Sequence, residues 1–537
     1  MKKMFLFCLC AAMMLCACST SVVQDPTVPQ QTQGDLVTRQ VSADATKIQL
    51  SDNGITVDGS AVSADATDAV YAAKDIVFYL EGQNFTYGEG TKDDEHSQEE
   101  ADRHTVVHIT KPGEYILSGK LSAGQIAVDL GKDAKSDPNA VVTLVLNNVD
   151  ITCTVAPAVI FYNVYECSSA DEATATSEVD TASAGANVII ADNSNNNIHG
   201  SYVARIYKSV ELNEDKTEVI DSKKLHKYDG AFYSKMTMNI YGEKGNSGVL
   251  NIYAENEGLD SELHLTIFSG NLNIDSGNDG INTNEDNVSV ARIMGGVHYI
   301  TVNGSTGEGD GIDSNGWLII DGGMLFVSAC GFSGDSGIDA DKGVFINGGF
   351  VAASGNMLDA LQGTQTYVVL AFSQRQKGGN DYDLKNETFG TFLTCSPAND
   401  FQYLIISSPH LTPDNYTLWR EATQLQGSKS MGQMNSPGAP GPGGPNGMPP
   451  AGMERPEGTP PAGMERPEGT PPAGMGDPNI QPGGSGNPNG TPPAPPEGGM
   501  PGGQPGGFPG GNQGQPQESS PIFEITEGAN FFQVVTA

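Results

Sequence analysis

Basic residues are scarce in this chain. Lys and Arg total 28 against 65 Asp and Glu, a formal charge of −37. Nucleic acid asks for a basic surface, so that partner class is argued against. An acidic polymer would also be repelled unless a cation bridged it to the protein. Long apolar runs are missing beyond residues 4–14, and no other stretch approaches the roughly 20 residues that cross a bilayer. Helical periodicity is absent from the middle of the chain, which excludes the helical repeat classes. Cysteine is sparse at eight, too few for a disulfide framework in a chain this long. No Cys-x-x-Cys metal spacing occurs. No P-loop, zincin motif or nonapeptide calcium repeat occurs either. Asn282-Thr283-Asn284-Glu285-Asp286 is followed by Asn287, where an EF-hand loop needs Gly.

What the chain does have begins with a processing signal. Lys2 and Lys3 precede the short apolar run, and Leu15-Cys16-Ala17-Cys18 resembles a bacterial lipobox. Cleavage after residue 17 would leave Cys18 as a lipidated N-terminus, anchored to a membrane rather than spanning it. An ordinary signal peptide with an incidental cysteine is the alternative. Residues 18–45, polar and carrying Pro26 and Pro29, read as a flexible tether. Cys8, Cys10 and Cys16 would leave with the signal. Of the remaining Cys153, Cys167, Cys330 and Cys395, the first two are the candidates for a pair in a compartment that allows disulfides.

The centre of the chain repeats itself. One phrase recurs as Glu257-Gly258-Leu259-Asp260, Asp279-Gly280-Ile281-Asn282, Asp310-Gly311-Ile312-Asp313, Ser336-Gly337-Ile338-Asp339 and Asp359-Ala360-Leu361-Gln362. From Gly258 to Gly280 is 22 residues and from Gly280 to Gly311 is 31. A second phrase, alternating apolar residues and then Gly, ends at Gly270, Gly296, Gly323 and Gly349, which lie 26, 27 and 26 apart. Alternation is the strand period, and units of this length stack. The expectation is an all-β parallel β-helix with coils of about 22–31 residues. Ile and Leu would stack inside it, with Asp and Asn in register at the corners.

That register has a chemical consequence. Neighbouring strands lie about 4.8 Å apart, so equivalent carboxylates become close neighbours. Residues 246–363 hold sixteen Asp and Glu against Arg292 and Lys342. Such crowding is costly unless neutralised, and Ca²⁺ suits a set of oxygen ligands in flexible geometry. The candidate metal ligands are Asp260, Asp279, Asn282, Asp310, Asp313, Asp339 and Asp341. The plainer reading, Asx residues satisfying turn backbone, stays open.

These phrases, together with Lys111-Pro112-Gly113-Glu114-Tyr115-Ile116-Leu117-Ser118-Gly119, Leu146-Asn147-Asn148-Val149-Asp150-Ile151 and Leu404-Ile405-Ile406-Ser407-Ser408-Pro409, carry a resemblance over residues 46–420. The chain resembles a bacterial secreted carbohydrate-binding domain family with a pectate-lyase-like, right-handed parallel β-helix. The resemblance implies polysaccharide binding, acidic sugars included, with bound calcium. Ala360 and Gln362 depart from the repeat and put a metal site at the last copy in doubt.

Around the repeat the reading is coarser. Asp52-Asn53-Gly54 signals a hairpin turn, residues 76–80 a further strand, and residues 92–103 a charged, solvated loop. Residues 170–185 read as an exposed loop, 208–227 as an insertion, and the asparagines at 193 and 195–197 as either a ladder or a turn. Residues 46–426 form the domain. Residues 427–520, rich in Pro and Gly with an eleven-residue repeat from Ala451, cannot bury enough apolar area to fold. Residues 521–537 are apolar enough to return as docking strands.

Three functions compete. The first is calcium-assisted polysaccharide binding at the cell envelope, facing periplasm or exterior, with Trp317, Tyr253 and Tyr299 stacking on sugar rings or, alternatively, packing in the core. The second is a polysaccharide lyase, for which Arg292, Lys342 and His298 are the available bases. The third is a structural or adhesive surface protein. The first is the expected one, without catalysis.

Overall fold

The computed structural model describes residues 36–78, 96–212, 219–388, 390–430 and 518–535, leaving aside the side chains of 204–227. The stretch read as a signal, 1–17, with Cys18 and most of 427–520, lies outside the described residues. The described residues are all-β, in sheets of 22, 8, 5 and 2 strands. Among the described residues the only α-helix is Gln98–Ala101.

Through the repeat the chain visits three ladders in rotation. Glu257–Ser261 is followed by His264–Ile267 and Asn271–Ser276; the next round is Ile281–Thr283, Val290–Ile293 and Val297–Val302; then come Ile312–Ser314, Trp317–Ile320 and Met324–Ser328. Each strand pairs in parallel with its counterpart one round later. In the first ladder Leu265 faces Ala291, then Leu318, then Val344. In the second, Ile252 faces Ile274, then Ile300, then Val327. In the third, Leu259 faces Ile281 and then Ile312. These inward columns are buried and belong to one continuous apolar core. Each Ile or Leu taken fully from water contributes about 1.5–3 kcal/mol.

The glycines explain why the phrases keep their spelling. A Cβ on Gly280 would lie 2.2 Å from Ile300 and 2.5 Å from the Gly311 carbonyl; one on Gly311 would lie 2.4 Å from the Gly337 carbonyl. The N–H of Gly280 donates to the Asp310 carbonyl and that of Gly311 to the Ser336 carbonyl. Close backbone approach between rounds demands glycine there. Gly270, Gly296, Gly323 and Gly349 turn the chain between the first and second ladders at φ of 104°, 97°, 83° and 77°, a region that side chains disfavour.

Both ends are covered. Thr46–Leu50 pairs in parallel with Gly113–Leu121 and antiparallel with Thr56–Val57 across the Asp52-Asn53-Gly54 turn. Of the stretch read as tether, residues 37–45 lie along the outside of the first ladder: Arg39 sits 4.1 Å over the Tyr241 ring, and Ser269 donates to the Val37 carbonyl. At the other end Phe401–Ser407 pairs antiparallel with Phe350–Gly355 and with Tyr367–Gln376, which in turn pairs with Ala529–Val535. A second apolar core forms there.

Several local expectations are corrected. Residues 76–78 form no strand, and 79–80 lie outside the described residues. The strand is Val70–Ala73, antiparallel to Thr105–Ile109, while Ile76 and Phe78 pack on the core without joining a ladder. The charged loop carries the short helix, capped by the Ser97 hydroxyl and tied down by Thr154 donating to Glu100 at 2.7 Å. Residues 170–185 are not simply exposed: Thr181 is buried and donates to Thr266 at 2.8 Å. Cys153 and Cys167 are free thiols. The asparagine run does form a ladder, with Asn251 donating to Asn197 at 3.0 Å and Asn273 to Asn251 at 2.8 Å.

Candidate functional site

Two regions carry chemistry. On the third ladder the last residue of each phrase falls in one column: Asp260 faces Asn282, and Asn282 faces Asp313. An isolated bridge between Ile312 and Ile338 brings Asp339 into the next row. Asp310, Asp313 and Asp339 each offer a carboxylate oxygen within 4.8 Å of the others, and all three are buried. Among the described residues this is the group with metal-ligand spacing.

Hydrogen bonds hold the carboxylates in place without neutralising them. The Asp310 N–H donates to Asp279 at 2.7 Å, and the Ser336 N–H to Asp310 at 2.5 Å. Asp359 accepts from the Ala340 N–H at 3.1 Å. Burial, then the charges of Asp339, Asp313, Asp279 and Asp335, hold the Asp310 carboxyl well above the usual carboxylate range. Asp359 is pushed up to about 6 by burial and by Asp339. Two neutral oxygens are stranded nearby in the register: Asn282 Oδ1 and Ser336 Oγ are buried and make no hydrogen bond. Hard oxygens of both kinds are the donor set of a Ca²⁺-type or Mg²⁺-type cation. Of the remaining sequence candidates, Asp279 and Asn282 neighbour the trio, while Asp260 and Asp341 are not part of it. Asp260 is buried and accepts from Asn284 at 2.6 Å, Asn282 donates to Glu257 at 3.1 Å, and Asp341 is exposed.

The second surface is the outward side of the second ladder. Tyr253 is 43 % and Tyr299 51 % exposed. Both belong to this ladder, two rounds apart, on Val249–Ala254 and Val297–Val302. Trp317 does not join them: it opens a strand of the first ladder, opposite Val290, and is half-buried. Three further features belong to the tyrosine face. His199 stacks on Tyr253 with centroids 4.5 Å apart, Phe326 stacks on Tyr299 at 4.8 Å, and the amide ladder Asn197–Asn251–Asn273 runs alongside. The sequence carried their signal in five aligned triplets: Asn197-Ile198-His199, Asn251-Ile252-Tyr253, Asn273-Ile274-Asp275, Tyr299-Ile300-Thr301 and Phe326-Val327-Ser328. In each, a buried Ile or Val separates two outward residues.

Two of the three candidate bases are otherwise engaged. Arg292 is held by Asp321 at 2.6 Å and Glu178 at 3.5 Å. His298 is fully buried, donates from Nε2 to the Gly295 carbonyl at 2.9 Å, and is pushed down to about 4 by burial, so it is neutral. Lys342 is exposed beside Asp341.

No curated protein matches the chain. A polysaccharide lyase-like protein from C. thermocellum, solved as a gadolinium derivative, is 20 % identical over 57 % of this chain and 83 % of its own, with a TM-score of 0.31. Residues 103–369, which span all three ladders, match the family model described as carbohydrate-binding domain-containing protein.

Proposed function

We propose that this protein binds polysaccharide at the bacterial cell envelope without cleaving it. In this reading it is lipid-anchored through Cys18 and built on a right-handed parallel β-helix. The rotation of the chain through three parallel ladders supports the β-helix, and the family match over residues 103–369 supports the ligand class. The observation that carries the reading is the pair Tyr253 and Tyr299, held exposed on one regularly stepped face. Rigid aromatics on a strand platform offer sugar C–H faces a large apolar contact at little entropic cost.

Calcium completes the proposal. Asp310, Asp313 and Asp339 would hold it, with Asn282 and Ser336 as neutral donors. The ion would supply the positive charge that this buried group calls for. Because the trio is buried on the third ladder and the tyrosines stand on the second, the ion acts on the scaffold rather than as a bridge to an acidic sugar. Engagement of Arg292 by two carboxylates and the burial of His298, whose Nε2 is spent on the Gly295 carbonyl, support a non-catalytic role.

The test is co-sedimentation of the protein with insoluble plant and microbial polysaccharides, in calcium and in chelator. Binding to at least one glycan in calcium is expected. If none sediments the protein under either condition, the reading is wrong and a structural spacer takes its place.

A further inference from the structure

Residues 208–227, read from the sequence as an insertion, make up most of a two-stranded arm. Val203–Leu212 pairs antiparallel with Val219–Tyr228, and among the described residues neither pairs with any other strand. Val203 and Tyr228 root the arm in the core of the rounds. It leaves between Asn195–Gly200 of the second ladder and Gly230–Ser234 of the third. Its strands of 10 residues reach roughly 30 Å. Charge is sorted along the arm. Residues 203–210 and 222–228, which face each other at the root, hold Arg205, Lys208, Lys223, Lys224 and Lys227 and no Asp or Glu. Five of the chain's 28 basic residues therefore fall in these two short runs. Residues 211–221 reverse the sign, with five Asp and Glu against Lys216. Within the described strands Glu211 stands directly opposite Asp221, while Lys223 and Lys224 stand opposite Ser209 and Tyr207, the neighbours of Lys208.

Such an arm is costly alone. A two-stranded hairpin by itself is marginal in water, and like charges facing each other across the pair weaken it further. Both ends of this arm gather like charge, of opposite signs. We infer that the arm docks antiparallel against the arm of a second copy of this chain, the basic root of each beside the acidic outer end of the other. A two-fold axis across the middle of the arms makes both contacts at once, because each root meets the other's outer end. The parallel arrangement sets root on root and is repelled. The acidic rounds of a second copy would attract the root but repel the outer end, whereas an arm answers both. The register slips at four places along the pair, and bulges of that kind keep an edge from extending a ladder, so charge rather than strand addition selects the partner. Two faces about 30 Å long and about 10 Å wide bury on the order of 600 Å² in all, less than a standard interface. The association is therefore weak, and salt screens it.

The test is sedimentation equilibrium of the full chain at low and high salt, with two charge-reversed variants. One carries Lys223→Glu and Lys224→Glu at the root, the other Glu211→Lys and Asp221→Lys at the outer end. The wild type should dimerise at low salt and dissociate at high salt. Each variant alone should dimerise at least about tenfold more weakly, since both of its contacts now set like charge against like. Mixed in equal amounts, the two variants should recover the wild-type affinity, because the root of one then meets the outer end of the other with opposite sign. That recovery also separates lost docking from a lost fold. A wild type that stays monomeric up to about 0.5 mM at low salt overturns the proposal. A dimer indifferent to salt or to either variant overturns it too, since it would use another face. So does a mixture of folded variants, melting as the wild type does, that stays monomeric. If the wild type is monomeric and the root variant instead loses binding to a soluble oligouronate, the root serves an acidic glycan and the arm-on-arm contact is wrong. Polysaccharide binding at the tyrosine face is a separate measurement, and its failure would leave this contact standing.

Discussion

At the residue scale the decisive feature is a set of carboxylates that fold into mutual contact. Asp310 and Asp359 are both held above the ordinary 3.8. Without a bound cation the folded state therefore binds protons that the unfolded chain gives up. Stability falls as pH rises above the ordinary value, for Asp359 through about 6, and Asp310 adds a loss of the same sign. His264 and His298 work in the opposite sense. Burial pushes both down to about 4, so their contribution is full above the ordinary 6.5 and is lost as pH falls toward 4. The histidine part is common to both metal states, so the difference between them isolates the carboxylates. Calorimetric melts in calcium and in chelator should differ most at pH 7 and converge as pH falls through 6 toward 4. Asp313→Asn should shrink the calcium-induced gain at pH 7. A gain that is independent of pH, or equal in the variant, would remove the ion from this trio.

At the element scale the repeat was legible because each round is forced to reuse the same chemistry. Gly280 and Gly311 recur since a Cβ at either would enter the backbone of the next round. Ile281 and Ile312 recur since they stack on one another. Gly280→Ala should cost about 1–3 kcal/mol by overpacking, and Ile281→Ala about 2–5 kcal/mol by leaving a cavity. Gly334→Ala, where a Cβ would meet nothing within 4 Å, is the neutral control. Denaturant titration of the three variants checks the order, and equal costs at Gly280 and Gly334 would contradict the close-approach account. The Asp trio was legible by the same register, and Asp310, Asp313 and Asp339 were among the residues read from it. What the sequence hid depends on partners far along the chain. The strand at 76–80 looked sound by composition, yet Val70–Ala73 is the segment that reaches Thr105–Ile109. Trp317 looked like a companion of Tyr253 and Tyr299, but one aromatic count does not say which ladder a residue stands on. His199 and Phe326 were missed for the converse reason: their stacks appear only when triplets from different rounds are laid in register.

At the scale of the whole molecule a stack of rounds behaves as a nearly one-dimensional object, in which each unit is stabilised by its neighbours and the ends are the weak points. Here the far end is closed by segments that arrive from two distant parts of the chain. Tyr367–Gln376 lies between Phe401–Ser407 and Ala529–Val535. Phe523 and Phe532 meet with centroids 5.1 Å apart inside the second core, which shares no buried side chain with the core of the rounds. The same closing strands bury Tyr367, Val369 and Ile405 in the core of the rounds, so whether the end loosens by itself is read on Phe532, which lies in the second core. Phe532, buried at 3 % exposure, should cost the end about 3–5 kcal/mol when cut to Ala. Hydrogen exchange on the full chain is the appropriate readout, since it resolves local opening from global unfolding. Amides of Tyr367–Gln376 and Phe401–Ser407 should lose protection in Phe532→Ala, while those of Val249–Ala254 and Asn271–Ser276, several rounds away, keep theirs, and glycan binding through Tyr253 should survive. Uniform loss of protection along all three ladders would mean instead that the rounds and their closing strands fold as one unit, and that the end governs the binding face as well.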